Sequence, residues 1–341
     1  MSHRILSYNL NELRKLIEEL KLKRYRAEQL FDWIYLKRVT SFSQMTNISL
    51  VEREQFEDIF SFPQMNIVHR EYSKDGTEKL LWELRDGEFI ESVIIKHPNH
   101  ITFCISSQVG CPIGCRFCQT GLSGYVRNLD VDEIVGQMLY MEIELGKMVD
   151  NIVFMGMGEP FLNTENVLKS IRIYNDERGR NLSLRHFTIS TVGIPEEIIK
   201  FANVGPEVKL SVSLHAPTNE KRDKIVPINK KHDIEDIFES LYYYQTITSK
   251  RVTFEYVLIN HFNDYKEDAK KLSELMNGLS SYLNVIPLNP VISDFKRPSE
   301  NRITEFINTL SSLGVKAELR TEKGTDINAA CGQLKTQYNR R

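Results

Sequence analysis

Strand and helix patterns alternate along the chain from residue 100 onward, and this alternation limits the fold more than any other feature. Short apolar runs predict six strands: His100–Ser107, Asn151–Met155, Arg185–Thr191, Val208–His215, Arg251–Ile259 and Leu283–Leu288. Amphipathic stretches between them predict helices, among them Pro195–Ala202, Ile234–Tyr244, Tyr265–Met276 and Ser299–Leu313. Alternation of this kind is typical of parallel α/β structures. Because a closed barrel of this type has eight strands, six strands predict an α/β fold with a partial, open barrel.

Residues 1–96 have a different pattern, in which helices come first and strands follow. Helices are predicted over residues 10–20 and Arg26–Tyr35, and strands over residues 66–72, 77–84 and 88–96. The predicted organisation is therefore a helical accessory domain (1–60), a small β-rich connecting segment (61–96), the barrel (97–325) and a C-terminal loop (326–341).

The overall charge argues against a general affinity for nucleic acid. The 341 residues carry 44 Lys+Arg and 46 Asp+Glu, a net charge of −2, so any RNA binding has to use a local patch. The four cations between Lys21 and Arg26 predict either a solvated turn or a contact with an RNA backbone. There is no run of 18 apolar residues and no secretion signal, so we expect a cytoplasmic protein without a membrane span.

The cysteines point to chemistry. The chain has five of them: Cys104, Cys111, Cys115, Cys118 and Cys331. An odd number in a cytoplasmic protein argues against a disulfide framework. A structural zinc site needs four ligands, whereas the spacing Cys-x3-Cys-x2-Cys supplies three and the next histidine is distant, at His186. Three thiolates suit a 4Fe–4S cluster whose fourth iron stays open for a substrate, with zinc as the alternative.

The cysteine triplet follows a predicted strand and precedes a predicted helix. Four glycines in the loop Gln108–Asn128 predict a flexible segment that can wrap a cluster. Asp130 is the expected N-cap of the next helix, and Glu133 stands at the capping-box position. In a barrel of strand–helix units this position is the catalytic end.

Several motifs resemble the RlmN/Cfr family of radical S-adenosylmethionine (SAM) enzymes, which methylate an adenine ring carbon in RNA. These are Cys104–Gly121, Arg127–Leu129, Phe154–Pro160 and Ala330–Leu334, within a resemblance that runs from about residue 8 to about residue 337. Val109 and the run Arg127–Leu129 are closer to RlmN than to Cfr, which has Cys at the former position. The resemblance implies a radical SAM barrel.

The resemblance also implies a set of cofactor-binding residues. Cys111, Cys115 and Cys118 would hold one 4Fe–4S cluster, with SAM bound at the open iron and two SAM molecules used in each turnover. The implied SAM contacts are Gly158, Glu159, Ser190, Ser213, Leu214, His215 and Asn289. Several of these residues lie at or near the ends of predicted strands, where a barrel places its site.

Three further residues receive catalytic roles from the resemblance. Cys331, on a loop after the last predicted strand Val315–Arg320, would carry the methyl group as S-methylcysteine. Cys104 would then release the product from a transient protein–RNA thioether by forming a transient disulfide with Cys331. Glu91 would accept the proton that leaves the adenine carbon, and burial of this carboxylate on its strand would raise its basicity.

The implied activity is methylation of adenine C2 in 23S rRNA at the peptidyl-transferase centre, and in tRNA at the adenosine 3′ of the anticodon. The implied electron source is a flavodoxin-like donor, and we expect a monomer. Two alternatives stay open: a Cfr-type enzyme that methylates C8 and gives antibiotic resistance, and a non-catalytic RNA-binding protein whose cysteines hold zinc.

Overall fold

The computed structural model describes residues 2–205, 207–289 and 294–335, so residues 336–341 of the predicted C-terminal loop lie outside the described part. Its helices are α1 (Leu10–Glu19), α2 (Tyr25–Tyr35), α3 (Leu50–Ile59), α4 (Gln119–Leu122), α5 (Val131–Leu145), α6 (Thr164–Asn175), α7 (Pro195–Val204), α8 (Asn219–Ile225), α9 (Ile234–Thr248), α10 (Lys266–Met276) and α11 (Glu300–Ser312). Its strands are β1 (His3–Arg4), β2 (Phe60–Ser61), β3 (Met65–Tyr72), β4 (Glu78–Leu84), β5 (Phe89–Lys96), β6 (Ile101–Cys104), β7 (Gln108–Gly110), β8 (Tyr125–Asn128), β9 (Asn151–Phe154), β10 (Phe187–Thr191), β11 (Lys209–Ser213), β12 (Val252–Leu258), β13 (Ser281–Pro287) and β14 (Ala317–Leu319).

One ten-stranded sheet organises the molecule. The strand order is β14-β13-β12-β11-β10-β9-β6-β5-β4-β3, and every neighbouring pair from β6 to β14 is parallel. All six predicted strands are present. Five are shorter than their apolar runs, whereas β13 begins two residues before its run, and β14 lies within the predicted last strand Val315–Arg320 as a parallel strand at the edge. The predicted α/β partial barrel is confirmed, because the strands follow chain order and their two edges, β3 and β14, stand at opposite ends.

The strands of residues 61–96 belong to this same sheet. β3, β4 and β5 pair antiparallel with one another, and β5 continues antiparallel onto β6. The domain boundaries predicted at residues 60, 96 and 325 remain a prediction. The hydrogen bonds between β5 and β6 join the connecting segment (61–96) to the sheet of the barrel. Because β5 lies between two partners, Glu91 stands inside the sheet.

The N-terminal segment is helical, with a short parallel pair of β1 and β2 at its ends. Asn9 caps α1 in a capping box with Glu12. Arg4 joins this segment to α5 through ion pairs with Asp130 and Asp132. No helix of the described residues has the length and apolar character that a membrane crossing requires.

The four cations of the run Lys21–Arg26, at the start of α2, do not form one exposed surface. Arg26 is buried, and its guanidinium forms an ion pair with Glu52. Lys21, Lys23 and Arg24 are exposed. Within this run, Lys21, Lys23 and Arg24 are therefore the exposed cations, of which Arg24 pairs with Glu18 at 3.3 Å, and Arg26 belongs to the packing of the N-terminal helices.

The cysteine loop is more regular than its glycine content predicts. β7 and β8 form an antiparallel hairpin, and α4 begins directly after Cys118. Gly110 has φ +73, and a Cβ there would stand 2.0 Å from the Gly124 carbonyl oxygen, so the hairpin requires glycine at this position. At the start of α5 the Glu133 carboxylate accepts the Asp130 N–H at 2.8 Å, which confirms the predicted capping box.

Candidate active site

A cavity of about 890 Å³, which includes space open to solvent, lies at the carboxyl ends of the parallel strands. Most of the predicted site residues line it: Cys111, Cys115, Cys118, Gly158, Glu159, Ser190, Ser213, His215, Asn289 and Cys331. The sheet brings them together because parallel strands all end at the same edge. Three predicted residues, Leu214, Cys104 and Glu91, lie elsewhere.

The cysteine triplet lines one wall of this cavity, where the surrounding protein excludes most water. Burial raises the pKa of the Cys111 thiol to about 12, and it also raises the pKa of Cys115 and of Cys118. Three partly buried thiolates at this wall would need positive charge, which the irons of a cluster would supply. Among the described residues, no group of three or more His, Cys, Asp or Glu side chains stands close enough to hold a single metal ion.

Glu159 is a buried carboxylate on the same cavity. Its two oxygens accept the backbone N–H groups of Phe161 at 2.9 Å and Val192 at 2.7 Å, so it joins the loop after β9 to the loop after β10. Burial raises the pKa of Glu159 to about 7, against the effect of these hydrogen bonds. A cationic ligand in the cavity would favour its ionised form. Gly158, at φ +104, has no room for a Cβ beside Gln108.

His215 follows β11 with a left-handed backbone, φ +60. Its Nδ1 accepts the Val257 N–H at 3.1 Å, which leaves Nε2 to carry the proton. Burial lowers the pKa of His215 to about 3, so the ring is neutral at physiological pH. Ser213 and Ser190 line the same wall, with their hydroxyl oxygens 3.5 Å apart. The backbone of this strand end is fixed, and it presents neutral hydrogen-bonding groups.

Leu214 does not line the cavity, although it lies between Ser213 and His215. Its side chain is fully buried, and its carbonyl accepts the Arg222 Nε–H at 3.0 Å. The Leu214 side chain therefore does not line the cavity, and a SAM contact at this residue stays a prediction.

The C-terminal segment closes the cavity from the opposite side. The Asn289 amide donates to the Cys331 carbonyl at 3.0 Å, while its own buried Oδ1 has no hydrogen-bond partner among the residues that the structure describes. The Gly332 carbonyl accepts the Gln119 N–H at 2.7 Å, and the Thr120 hydroxyl donates to the Leu334 carbonyl at 2.6 Å. The segment is thus tied to the residues that follow the cysteine triplet. The unpartnered Asn289 oxygen is available to a donor on a bound ligand.

A second cavity of about 920 Å³ lies behind Cys331 and includes Cys104. The two cavities share one wall, formed by Met155, Ile286, Asn289, Arg320 and Cys331. Burial raises the pKa of Cys104 to about 12, the charge of Cys331 acts in the same direction, and Arg320 opposes both. The two thiols interact electrostatically, and all five cysteines are free, so a disulfide is absent from this structure.

Glu91 lines neither cavity. It is 0% exposed, its Oε1 lies 3.4 Å from the Lys79 Nζ, and its Oε2 accepts the Lys335 N–H at 2.8 Å. Burial raises the pKa of Glu91, whereas the charge of Lys79 lowers it. The C-terminal segment covers this carboxylate, so a substrate reaches it only if that segment moves.

Two charged residues of the site were missed in the sequence. Arg320 directly follows β14 and pairs with Glu255, with 3.3 Å between Nη1 and Oε2. The Glu255 carboxylate also accepts the Ser211 hydroxyl at 2.9 Å and the Asn284 amide at 3.0 Å. Glu255 is a lone acid within the apolar strand β12, and this pattern is a signal that the sequence does contain.

Family models match two parts of the chain. Residues 105–275 match the radical SAM superfamily, and residues 4–61 match the ribosomal RNA large subunit methyltransferase N-terminal domain. The first match contains the cysteine triplet and most of the parallel strands. The second covers the N-terminal helical segment.

Curated relatives and a solved structure match nearly the whole chain. Proteins of Thermotoga neapolitana and Thermotoga maritima, both named "Probable dual-specificity RNA methyltransferase RlmN", are 52% and 51% identical over 97% of each chain. The crystal structure of a radical SAM methyltransferase from Sphaerobacter thermophilus is 38% identical, with a TM-score of 0.95 over 98% of this chain and 100% of that one.

Proposed function

Because the chain belongs to the RlmN family of radical SAM RNA methyltransferases, we propose that it methylates C2 of an adenine in 23S rRNA and in tRNA. The substrates would be the peptidyl-transferase centre and the adenosine 3′ of the anticodon. The dual specificity in the names of the relatives and the N-terminal domain family support both substrates. The enzyme would act in the cytoplasm as a monomer, with a flavodoxin-like electron donor.

One observation carries this proposal: Cys331 lies on the wall between a cavity with the cysteine triplet and a cavity with Cys104. A sulfur at this wall can meet SAM on one side and a second thiol on the other. When bound at Cys111, Cys115 and Cys118, a 4Fe–4S cluster supplies the electron that cleaves SAM, and this radical chemistry suits the unreactive C–H bond at adenine C2.

Two cysteines of the protein would carry out the methyl transfer and the release of the product. The Cys331 sulfur would accept a methyl group from one SAM with loss of the thiol proton. This methyl group would lose one hydrogen atom to the radical that cleavage of a second SAM supplies, and its carbon would then bond to the adenine. The Cys104 thiolate would attack the Cys331 sulfur, so that a disulfide forms and the sulfur–carbon bond to the product breaks. Arg320 favours the thiolate of Cys104.

Glu91 would take the proton that adenine C2 loses. Its buried position and raised pKa suit a general base, and the charge of Lys79 favours the ionised form against the effect of burial. Since the Lys335 N–H occupies one of its oxygens, the C-terminal segment would have to shift when RNA binds. In the N-terminal helical segment, the exposed cations Lys21, Lys23 and Arg24 would contact an RNA backbone.

Nucleoside mass spectrometry of rRNA and tRNA from cells with and without this chain tests the proposal. Loss of 2-methyladenosine from both RNAs on deletion is the expected result. Loss of 8-methyladenosine instead would establish the Cfr-type alternative. A Cys331→Ala variant should still cleave SAM under dithionite but transfer no methyl group, and persistent RNA methylation would refute the role of Cys331. Anaerobic analysis that finds zinc without iron and sulfide would refute the enzyme altogether.

A further inference from the structure

Arg222, on α8, is a fully buried cation whose hydrogen-bond partners are all neutral. It is 0% exposed. Its guanidinium donates to the carbonyls of Leu214 (3.0 Å), Val192 (2.5 Å) and Ser213 (3.3 Å), and to the Asn229 side-chain oxygen (2.7 Å). The adjacent carboxylate of Asp223 accepts the Asn229 amide instead.

Two arginines with little exposure show the usual arrangement, in which a carboxylate is the partner. The buried Arg26 pairs with Glu52, and Arg180, whose side chain is 10% exposed, pairs with Glu142 at 2.8 Å. Burying a cation without a counter-charge costs several kcal/mol, so such a residue is retained where an anion comes close to it. The position of Arg222 shows which anion that is.

Helix α8 packs against the cysteine loop. The Arg116 N–H of that loop donates to the Ile225 carbonyl at 3.0 Å. Burial lowers the pKa of Arg222 to about 10, which still leaves it charged at neutral pH, and the charges of the Cys115 thiolate and of Asp223, in that order, act in the opposite direction. The guanidinium is therefore buried near the cysteine loop, and it bonds the carbonyls of Val192 and Ser213, two residues that line the same cavity as the cysteine triplet.

We propose that Arg222 is a positioning residue that supplies the counter-charge for the anionic cluster at Cys111, Cys115 and Cys118, and so favours its one-electron reduction. The inference rests on the proposed function, since it requires a cluster at these cysteines. A 4Fe–4S core of charge +2 with three thiolates carries −1 overall, and reduction takes it to −2. The electron comes from the external reductant, and no bond or proton changes place. A cation in this dry environment lowers the energy of the added negative charge, with little screening by salt.

Arg222 also holds the ends of two strands that line the cavity. Its guanidinium bonds Val192 after β10, and Ser213 and Leu214 at the end of β11. The charge must therefore be separated from the hydrogen bonds. Arg222→Lys keeps the positive charge but loses the planar guanidinium that bonds several carbonyls at once, whereas Arg222→Gln loses the charge and keeps some hydrogen bonding.

A redox titration of the reconstituted full-length protein, followed by electron paramagnetic resonance with dithionite as the reductant, tests the proposal. In Arg222→Gln we expect the reduction equilibrium to shift about tenfold or more toward the oxidised cluster, or 59 mV lower in potential for one electron. Arg222→Lys should stay within about threefold of the wild type, because its charge remains in the same dry environment.

Lys224→Gln is the matched control. Lys224 lies on the same helix, but its side chain is 57% exposed and pairs with Glu220. The Lys224→Gln substitution removes one positive charge, as Arg222→Gln does, but at a position where water screens that charge. The reduction equilibrium of the cluster should therefore stay within about threefold of the wild type. A shift in this control as large as in Arg222→Gln would overturn the proposal.

The remaining outcomes also decide the question. A wild-type potential in Arg222→Gln would overturn the proposal, and so would an equal shift in Arg222→Lys. If Arg222→Gln takes up no iron, retention of iron by Arg222→Lys supports the need for charge, whereas loss of iron from both variants overturns it. Wild-type protein that binds no iron–sulfur cluster would refute the proposed function, and the role of Arg222 with it.

Discussion

Replacing Glu159 by Gln should remove a pH dependence from the stability of the metal-free protein. Burial raises the pKa of this carboxyl from 4.5 to about 7 in the folded state. Below pH 4.5 the group is protonated in both states and imposes no penalty. As the pH rises toward 7, only the unfolded chain ionises, so the free energy of unfolding falls, and above about 7 the loss is complete. One pKa unit corresponds to about 1.36 kcal/mol, so the loss is about 3 kcal/mol.

Urea unfolding of the metal-free protein between pH 4.5 and pH 8 measures this difference. Gln cannot accept both backbone N–H groups, so Glu159→Gln carries a pH-independent cost of about 1–3 kcal/mol. The wild type should lose about 3 kcal/mol relative to this variant across the interval. Glu165→Gln, whose side chain is 88% exposed, should follow the wild type. Parallel curves for the wild type and Glu159→Gln would refute the reasoning.

Three further predictions concern the site and its loop. Cys104→Ala should let the covalent step proceed and block release, so a protein–RNA adduct accumulates on denaturing gels; free methylated RNA at normal yield would contradict this. Lys79→Met removes the cation 3.4 Å from Glu91, so the acid limb of the pH–rate profile should move up by about one unit or more, and an unchanged limb argues against Glu91 as the base. Gly110→Ala forces a Cβ to 2.0 Å from a carbonyl and should lower both iron content and melting temperature, whereas Gly124→Ala, with open space around it, should cost only about 1–2 kcal/mol of backbone strain.

Local patterns in the sequence were enough to predict the elements and the chemistry of the cofactor. The apolar runs that became β9 to β13 and the capping residues of α5 act over a few positions, so they can be read without the fold. The same holds for Cys111, Cys115 and Cys118, whose spacing is set within one loop. The cavity gathers most of the predicted contacts because strand ends share one edge of a parallel sheet.

Other features depended on which distant segments pack together. Cys331 stands between two cavities because the C-terminal segment is tied to Gln119 and Thr120, and the same segment covers Glu91. The burial of Arg222 depends on where α8 packs.

The sequence by itself therefore determined the strand–helix order and the cysteine triplet, since both arise from neighbours along the chain. Only the tertiary structure decided which charged groups are buried and that the thiols of Cys104 and Cys331 line the same cavity. Burial and proximity come from packing between segments far apart in sequence, and no local spacing encodes them.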